Sequence, residues 1–255
     1  MSGGVSAPAS VLLLHGQPGS ARDWDRVCAA LPPRVVPIAI DRPGWDGQSL
    51  PASLDENALA AVAALDDRDV ERATVVGHSL GAAVAAWLAV NHPSRVSGLV
   101  LASPAANAAA LDWIDQLLAM PVAGALASAA ALSGVGLALT TAPLRRRIAR
   151  ELELDDDYLG AAARGLLTPG AWRAFATEQR ALVREIPELE GRLGRISTPT
   201  TVVYGSADRV VPPGSARRLA DQIPGAEVVV LEGAGHLLPQ RRARRLAEVI
   251  AASAA

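Results

Sequence analysis

Lysine is missing from this chain of 255 residues: all 24 basic residues are arginine. Any mechanism that needs a lysine amine, such as a Schiff base, is therefore excluded. Cysteine occurs once, at Cys28, so no intrachain disulfide can form and a reduced, cytoplasmic setting is expected. Charge of either sign is nearly balanced, at a net −2, which argues against a nucleic-acid partner. Met1 to Ser10 lacks a basic cluster followed by an apolar run, so no secretory leader is expected. Val122 to Ala142 is uncharged and about as long as a membrane span. It is rich in Ala, Gly, Ser and Leu and interrupted by Gly124, Gly134 and Gly136, which weaken a helix. A buried or cleft-lining helix is expected there, with no stable membrane span.

What is present is apolar. Half the residues are hydrophobic and 20% are charged, enough to offset the entropy of ordering the chain. Gly 22 and Pro 18 imply many turns without a low-complexity pattern, and no internal repeat stands out. Six short β-branched runs recur: Val11–Leu14, Val35–Ile40, Thr74–Val76, Leu99–Leu101, Thr201–Tyr204 and Val228–Leu231. They do not alternate, as befits strands buried on both faces of a parallel sheet. Helical stretches separate them. Ser53 and Glu56 form a capping-box pattern, Gly81 to Asn91 stops before Pro93, and Gln240 to Ala251 reads as a closing helix. The expected fold is α/β, a doubly wound, mostly parallel sheet with ligands at the carboxyl ends of its strands.

About a hundred residues between the fourth and fifth runs carry no strand signal, too long for a structureless loop. Leu111, Ile114, Leu117 and Leu118 share a helical face, Leu144 to Leu154 is charged, and Ala171 to Ile186 is amphipathic. The segment reads as a helical lid, residues 105–195, inserted into a core of residues 1–104 and 196–255. Trp113, Leu117, Met120, Trp172 and Phe175 are its candidate substrate-binding residues, with core packing the competing role for each. The run Arg145-Arg146-Arg147 with Arg150 reads as a solvated helix surface.

The chemistry is concentrated in three turns. Gly77-His78-Ser79-Leu80-Gly81 is a G-x-S-x-G sequence placed between a strand and a helix. A serine hydroxyl needs a base, and there are four histidines. His78 adjoins Ser79 in a strained turn and should point away, His92 sits at a helix end, and His15 follows the first strand. His236 follows the last strand in Gly233-Ala234-Gly235-His236 and is taken as the base. Asp208, directly after the fifth strand, is the acid that fixes its tautomer; no acid closely follows the fourth strand. The backbone N–H groups of Leu80 and Gln17 are the expected oxyanion donors. Pro18, beside Gln17, has no N–H to offer.

These motifs together resemble the α/β-hydrolase superfamily over nearly the whole chain. His15-Gly16-Gln17-Pro18-Gly19 is similar to its oxyanion loop, Gly77 to Gly81 to its nucleophile elbow, Gly205 to Asp208 to its acid turn and Gly235-His236 to its base loop. Asp41 to Ser49 resembles its D-x-x-G-x-G-x-S turn, with one extra residue between the glycines. The short stretch before Val11 implies a sheet shortened at its N-terminal edge. Serine at position 79 departs from the dehalogenase and epoxide-hydrolase relatives, which use aspartate there. The absence of lysine departs from the plant-type hydroxynitrile lyases. Leu80 disfavours proline iminopeptidases, for which Glu178, Glu185 and Glu188 would be candidate amine ligands. The resemblance thus implies a serine hydrolase acting on a small ester, lactone or thioester, with no cofactor and no metal. A cofactor-free haloperoxidase is the alternative chemistry, and a non-catalytic binding protein the alternative class.

Overall fold

The six apolar runs become the strands of one sheet, all parallel, in the spatial order β2-β1-β3-β4-β5-β6. The computed structural model describes residues 8–254; most of the stretch read for a leader, residues 1–7, lies outside the described residues. In chain order the main elements are β1 Ala9–Leu14, α1 Asp25–Cys28, β2 Val35–Ile40, α2 Leu54–Asp66, β3 Ala73–His78 and α3 Leu80–Asn91. There follow β4 Val96–Ala102, α4 Trp113–Leu118, α5 Ala123–Thr140, α6 Ala142–Leu152, α7 Asp156–Leu166 and α8 Pro169–Glu190. The chain closes with β5 Thr200–Gly205, α9 Pro213–Gln222, β6 Glu227–Leu231, α10 Leu238–Arg241 and α11 Ala243–Ser253.

The strand order reverses between β1 and β3: β2 lies on one side of β1, and β3 to β6 run outward on the other. The loops leaving the carboxyl ends of β1 and β3 consequently flank a crevice, where α/β sheets bind ligands. The central strands have no exposed face; every residue of β3 is buried. The last strand departs from the reading of strands covered on both sides. It is an edge with β5 as its single neighbour, and Glu227 and Val228 are exposed.

Helices cover both sheet faces. On one, α2, α3, α9 and the C-terminal half of α8 pack against Leu12, Leu14, Val75, Leu99, Leu101 and Val202. Helix α3 is buried nearly throughout because its alanines at 82, 83, 85 and 86 let it lie close to the sheet. On the other face, α1, α10 and α11 cover Val11, Leu13, Val76, Val100 and Val203 through Val27, Leu238, Leu246 and Ile250. The Ser53 capping box forms as expected, with the Ser53 hydroxyl accepting from the Glu56 N–H and Glu56 accepting from the Ser53 N–H.

Between β4 and β5 the chain is helical, from α4 through α8. Helix α8 runs through Pro187, past the end read at Ile186, because Ile186 and Leu189 on either side are both buried. Helix α5 corrects the expectation of a buried helix. Only Gly124, Ser128, Leu132, Gly136 and Leu139 are buried, whereas Val122, Leu126, Val135 and Leu137 are exposed. By length and composition it is apolar enough to cross a membrane.

Candidate active site

The elbow after β3 is dictated by close backbone approach. A Cβ on Gly77 would collide with the Gly81 carbonyl, and one on Gly81 with the carbonyls of Leu14 and His15. Only glycine at both positions lets β3 turn into α3 this tightly against β1. The turn forces Ser79 to φ 55° and ψ −120°, a conformation L-residues seldom adopt, held by Ser79 N–H donating to the Ala102 carbonyl at 2.9 Å. Such strain costs about 1–3 kcal/mol and clusters at functional sites. Ser79 is 9% exposed.

Asp208 and His236 come from the loops after β5 and β6. His236 Nδ1 donates to Asp208 Oδ2 at 2.9 Å. The other carboxylate oxygen, Oδ1, accepts from the Val210 and Val211 N–H groups at 2.9 and 3.0 Å. Burial alone would raise the Asp208 pKa, but His236 and the two amides outweigh it and hold the carboxyl below its ordinary range. The imidazole is thereby fixed with its Nε2 edge free. No hydrogen bond joins Ser79 Oγ to His236 among the described residues; such contacts tighten when substrate arrives. The backbone N–H groups of Gln17 and Leu80 likewise donate to no group among the described residues. Gln17 also uses its side chain, whose Nε2 donates to the Phe175 carbonyl of α8 at 2.7 Å.

Three residues near these loops make contacts the sequence did not disclose. His78 does not simply turn away: its Nε2 donates to the His236 carbonyl at 2.9 Å, and the two rings lie 4.9 Å apart. Burial, reinforced by the neighbouring His236, drives its pKa down to about 3, so it remains neutral near neutral pH. His15 is fully buried with Nδ1 toward the Gly16 carbonyl, while Nε2 accepts from the Arg42 N–H. Burial and the adjacent Arg42 charge hold its pKa well below the usual imidazole value. Arg42 lies beneath the Gly16 loop, donating to the His15 and Gly16 carbonyls at 2.9 Å each. Its guanidinium also pairs with Glu178 of α8, which accepts from Trp45 Nε1 at 3.0 Å. Both partners of the pair are 1% exposed. The only sequence signal for this arrangement was the D-x-x-G turn that carries Arg42; the partner on a distant helix had none.

The five apolar candidates between β4 and β5 differ in exposure. Trp113 is 72% exposed, and Leu117 and Met120 are exposed beside it. Trp172 is half-buried, its indole donating to the Leu166 carbonyl, and Phe175 is half-buried on the same helix. None of the five lines the cavity of about 330 Å³ between the Pro18–Asp23 segment and α7–α8. Among the described residues no cluster of His, Cys, Asp and Glu is arranged to hold a metal ion.

Comparison with known proteins follows the same outline. The model of a family described as "Alpha/beta hydrolase family" matches residues 11–249. A relative named Lipase LipV, from Mycobacterium tuberculosis, is 32% identical, covering 97% of this chain and 94% of its own. A pimeloyl-[acyl-carrier protein] methyl ester esterase from Neisseria meningitidis is 28% identical, covering 90% and 87%. Among solved structures, an alpha/beta hydrolase fold protein from Burkholderia ambifaria superposes with a TM-score of 0.74 at 25% identity, over 95% of this chain and 89% of its own.

Proposed function

Starting from the fact that this chain belongs to the α/β-hydrolase family, we propose that it is a serine hydrolase that cleaves a carboxylic ester, lactone or thioester through an acyl-enzyme on Ser79. The observation that carries this is the His236–Asp208 hydrogen bond, at the same end of the sheet as a strained serine. Ser79 Oγ attacks the carbonyl carbon as His236 Nε2 takes its proton. Asp208 holds the imidazole in the required tautomer and stabilises the imidazolium. The tetrahedral oxyanion accepts from the Gln17 and Leu80 N–H groups, each worth about 2.7–4 kcal/mol in sites of this type. Collapse expels the alcohol, which takes the proton from His236. A water deprotonated by His236 then attacks the acyl-enzyme and frees the acid and Ser79.

The helices from 105 to 195 act in this reading as a cover over the strand ends, with α8 bound to the loops below through Gln17 and Arg42. The acids that would serve an aminopeptidase are otherwise engaged: Glu178 with Arg42, Glu185 with the Leu54 N–H, and Glu188 with Arg192. That favours an ester over an amine-bearing peptide. Labelling with a fluorophosphonate probe, alongside turnover of p-nitrophenyl esters of graded length, tests the assignment. Ser79→Ala should abolish both while the protein stays folded, and His236→Ala should be almost as damaging, because the two act as a unit. Labelling that survives Ser79→Ala overturns the mechanism.

A further inference from the structure

The cavity beside the Gly16–Gly19 turn has a wall that the chemistry above does not use. Its body is apolar, formed by Trp45 and by Ala161, Ala162 and Leu166 of α7. One polar group in it is unusual: Asp23, 6% exposed, lines the cavity from the short helical turn after the oxyanion loop. Tyr158 of α7 donates its hydroxyl to Asp23 Oδ1 at 2.9 Å and receives Gln240 Nε2 at 3.2 Å. The Ser20 N–H also lies against this carboxylate, whose Oδ2 sits beside Gly19, 2.6 Å from where an added Cβ would be. Burial pushes this carboxyl up to about 6, against the opposing hydrogen bonds from Tyr158 and Ser20 and the more remote Arg42 charge. A carboxyl this deeply buried is costly in a wall that could have been apolar.

A single turn separates Asp23 from the nucleophile. A Cβ placed on Gly16 would lie 3.1 Å from Ser79 Cβ, and one placed on Gly19 would lie 2.8 Å from the Gly16 carbonyl oxygen and 2.6 Å from Asp23 Oδ2. We propose that this cavity is a subsite for the part of the substrate remote from the scissile carbonyl. It selects an apolar chain or ring bearing a hydrogen-bond donor, a hydroxyl or an N–H, which donates to a lone pair of the Asp23 carboxylate. The assignment rests on Ser79 being the nucleophile of an ester hydrolase. Tyr158 holds the carboxyl in position, and the small side chains of Ala161 and Ala162 leave room for the chain. The volume suits a group of modest size, not a long acyl tail.

The test compares matched esters that differ by one terminal hydroxyl. Ethyl hexanoate against ethyl 6-hydroxyhexanoate probes the acyl side, and hexyl acetate against 6-hydroxyhexyl acetate the alcohol side, each within a series graded in length. In one series the wild-type protein should favour the hydroxylated member in kcat/KM by about tenfold. Asp23→Leu should bring that ratio to about one or below, since the hydroxyl then enters an apolar wall with no acceptor. Ala162→Phe, which fills the cavity from α7, should also abolish the ratio and covers the case in which Asp23→Leu does not fold. Ratios near one at every length in the wild type, or a ratio that survives in a folded variant of either kind, overturn the subsite while leaving the esterase reading intact. A wild-type protein that cleaves none of these esters and takes no fluorophosphonate label fails at Ser79 instead.

Discussion

His78 shows how a single side chain can serve chemistry it does not perform. Its position inside the elbow was legible from the motif, but its direction was not. A residue flanking a nucleophile can turn either way, and only the arrival of the loop after β6 supplies the His236 carbonyl it meets. We read His78 as a positioning residue for His236. Replacing it with Gln keeps an N–H donor, whereas Leu removes it and leaves the half-buried His236 carbonyl without that partner. We expect His78→Leu to lower kcat by about tenfold with little change in KM, and His78→Gln to restore most of the loss. Steady-state kinetics on the two variants, with melting temperatures recorded in parallel, check this; a loss confined to stability would make the contact purely structural. The sequence singled out Ser79, Asp208 and His236 because each follows an apolar run in a turn of small residues, and the structure brings the last two within hydrogen-bonding distance. It singled out Gln17 and Leu80 because the elbow and the proline beside Gln17 restrict which amides are free.

At the scale of elements, α8 does more than roof the molecule. Through Glu178 it meets Arg42 and Trp45, through the Phe175 carbonyl it meets the Gln17 side chain, and through Glu185 it accepts from the Leu54 N–H. Helix, oxyanion loop and the turn after β2 are thereby one mechanical unit. Removing one member of the buried pair strands the other charge. Arg42→Met or Glu178→Met alone should each destabilise the protein by about 3–5 kcal/mol in denaturant unfolding, and the double substitution by clearly less than their sum. Additive losses would show that the two charges do not interact in the folded state. The helices themselves were visible as periodicity, but the faces they present were not. The apolar run in α5 suggested burial, yet it packs through one narrow stripe, Gly124, Ser128, Leu132, Gly136 and Leu139, and leaves Leu126, Val135 and Leu137 exposed. Hydropathy counts apolar residues; it does not report how much neighbouring surface exists to cover them. The same limit explains Trp113, large and apolar in sequence and solvent-facing in the fold.

For the molecule as a whole, buried titratable groups set the response to pH, and they pull in opposite directions. Asp23 titrates near 6 in the folded protein and near 3.8 unfolded, so its contribution is fully present below about pH 4 and lost as pH rises through 6. His78, depressed to about 3, contributes above its unfolded value of 6.5 and loses that contribution as pH falls toward 3. Asp23→Asn keeps an oxygen for Tyr158 and removes only the first effect. The variant should gain up to about 3 kcal/mol over the wild type at pH 8, with the gain gone near pH 4. Unfolding at both values checks it, and an equal shift at each would mean that Asp23 is not titrating between them. Tyr158 meets the Asp23 carboxylate from α7 directly, and Arg42 and Asp41 act on it from the turn after β2, so the same experiment in Tyr158→Phe apportions the effect. The parallel sheet and its six strands were the most legible part of the sequence, because short β-branched runs separated by helices admit few topologies; the order of the strands was not read from it. The contacts that join distant segments, such as Asp23 with Tyr158, leave no local trace. The order of synthesis gives the sheet one last consequence. Val11 and Leu13 of the first strand are covered by Leu246 and Ile250 of the last helix, and Ser79 emerges from the ribosome long before Asp208 and His236. On the proposed mechanism, a chain made only as far as β5 carries the nucleophile without its base, with the sheet face that α10 and α11 cover still largely open. On that mechanism, burial of the face and acquisition of reactivity arrive together, once the segment that follows β6 is made.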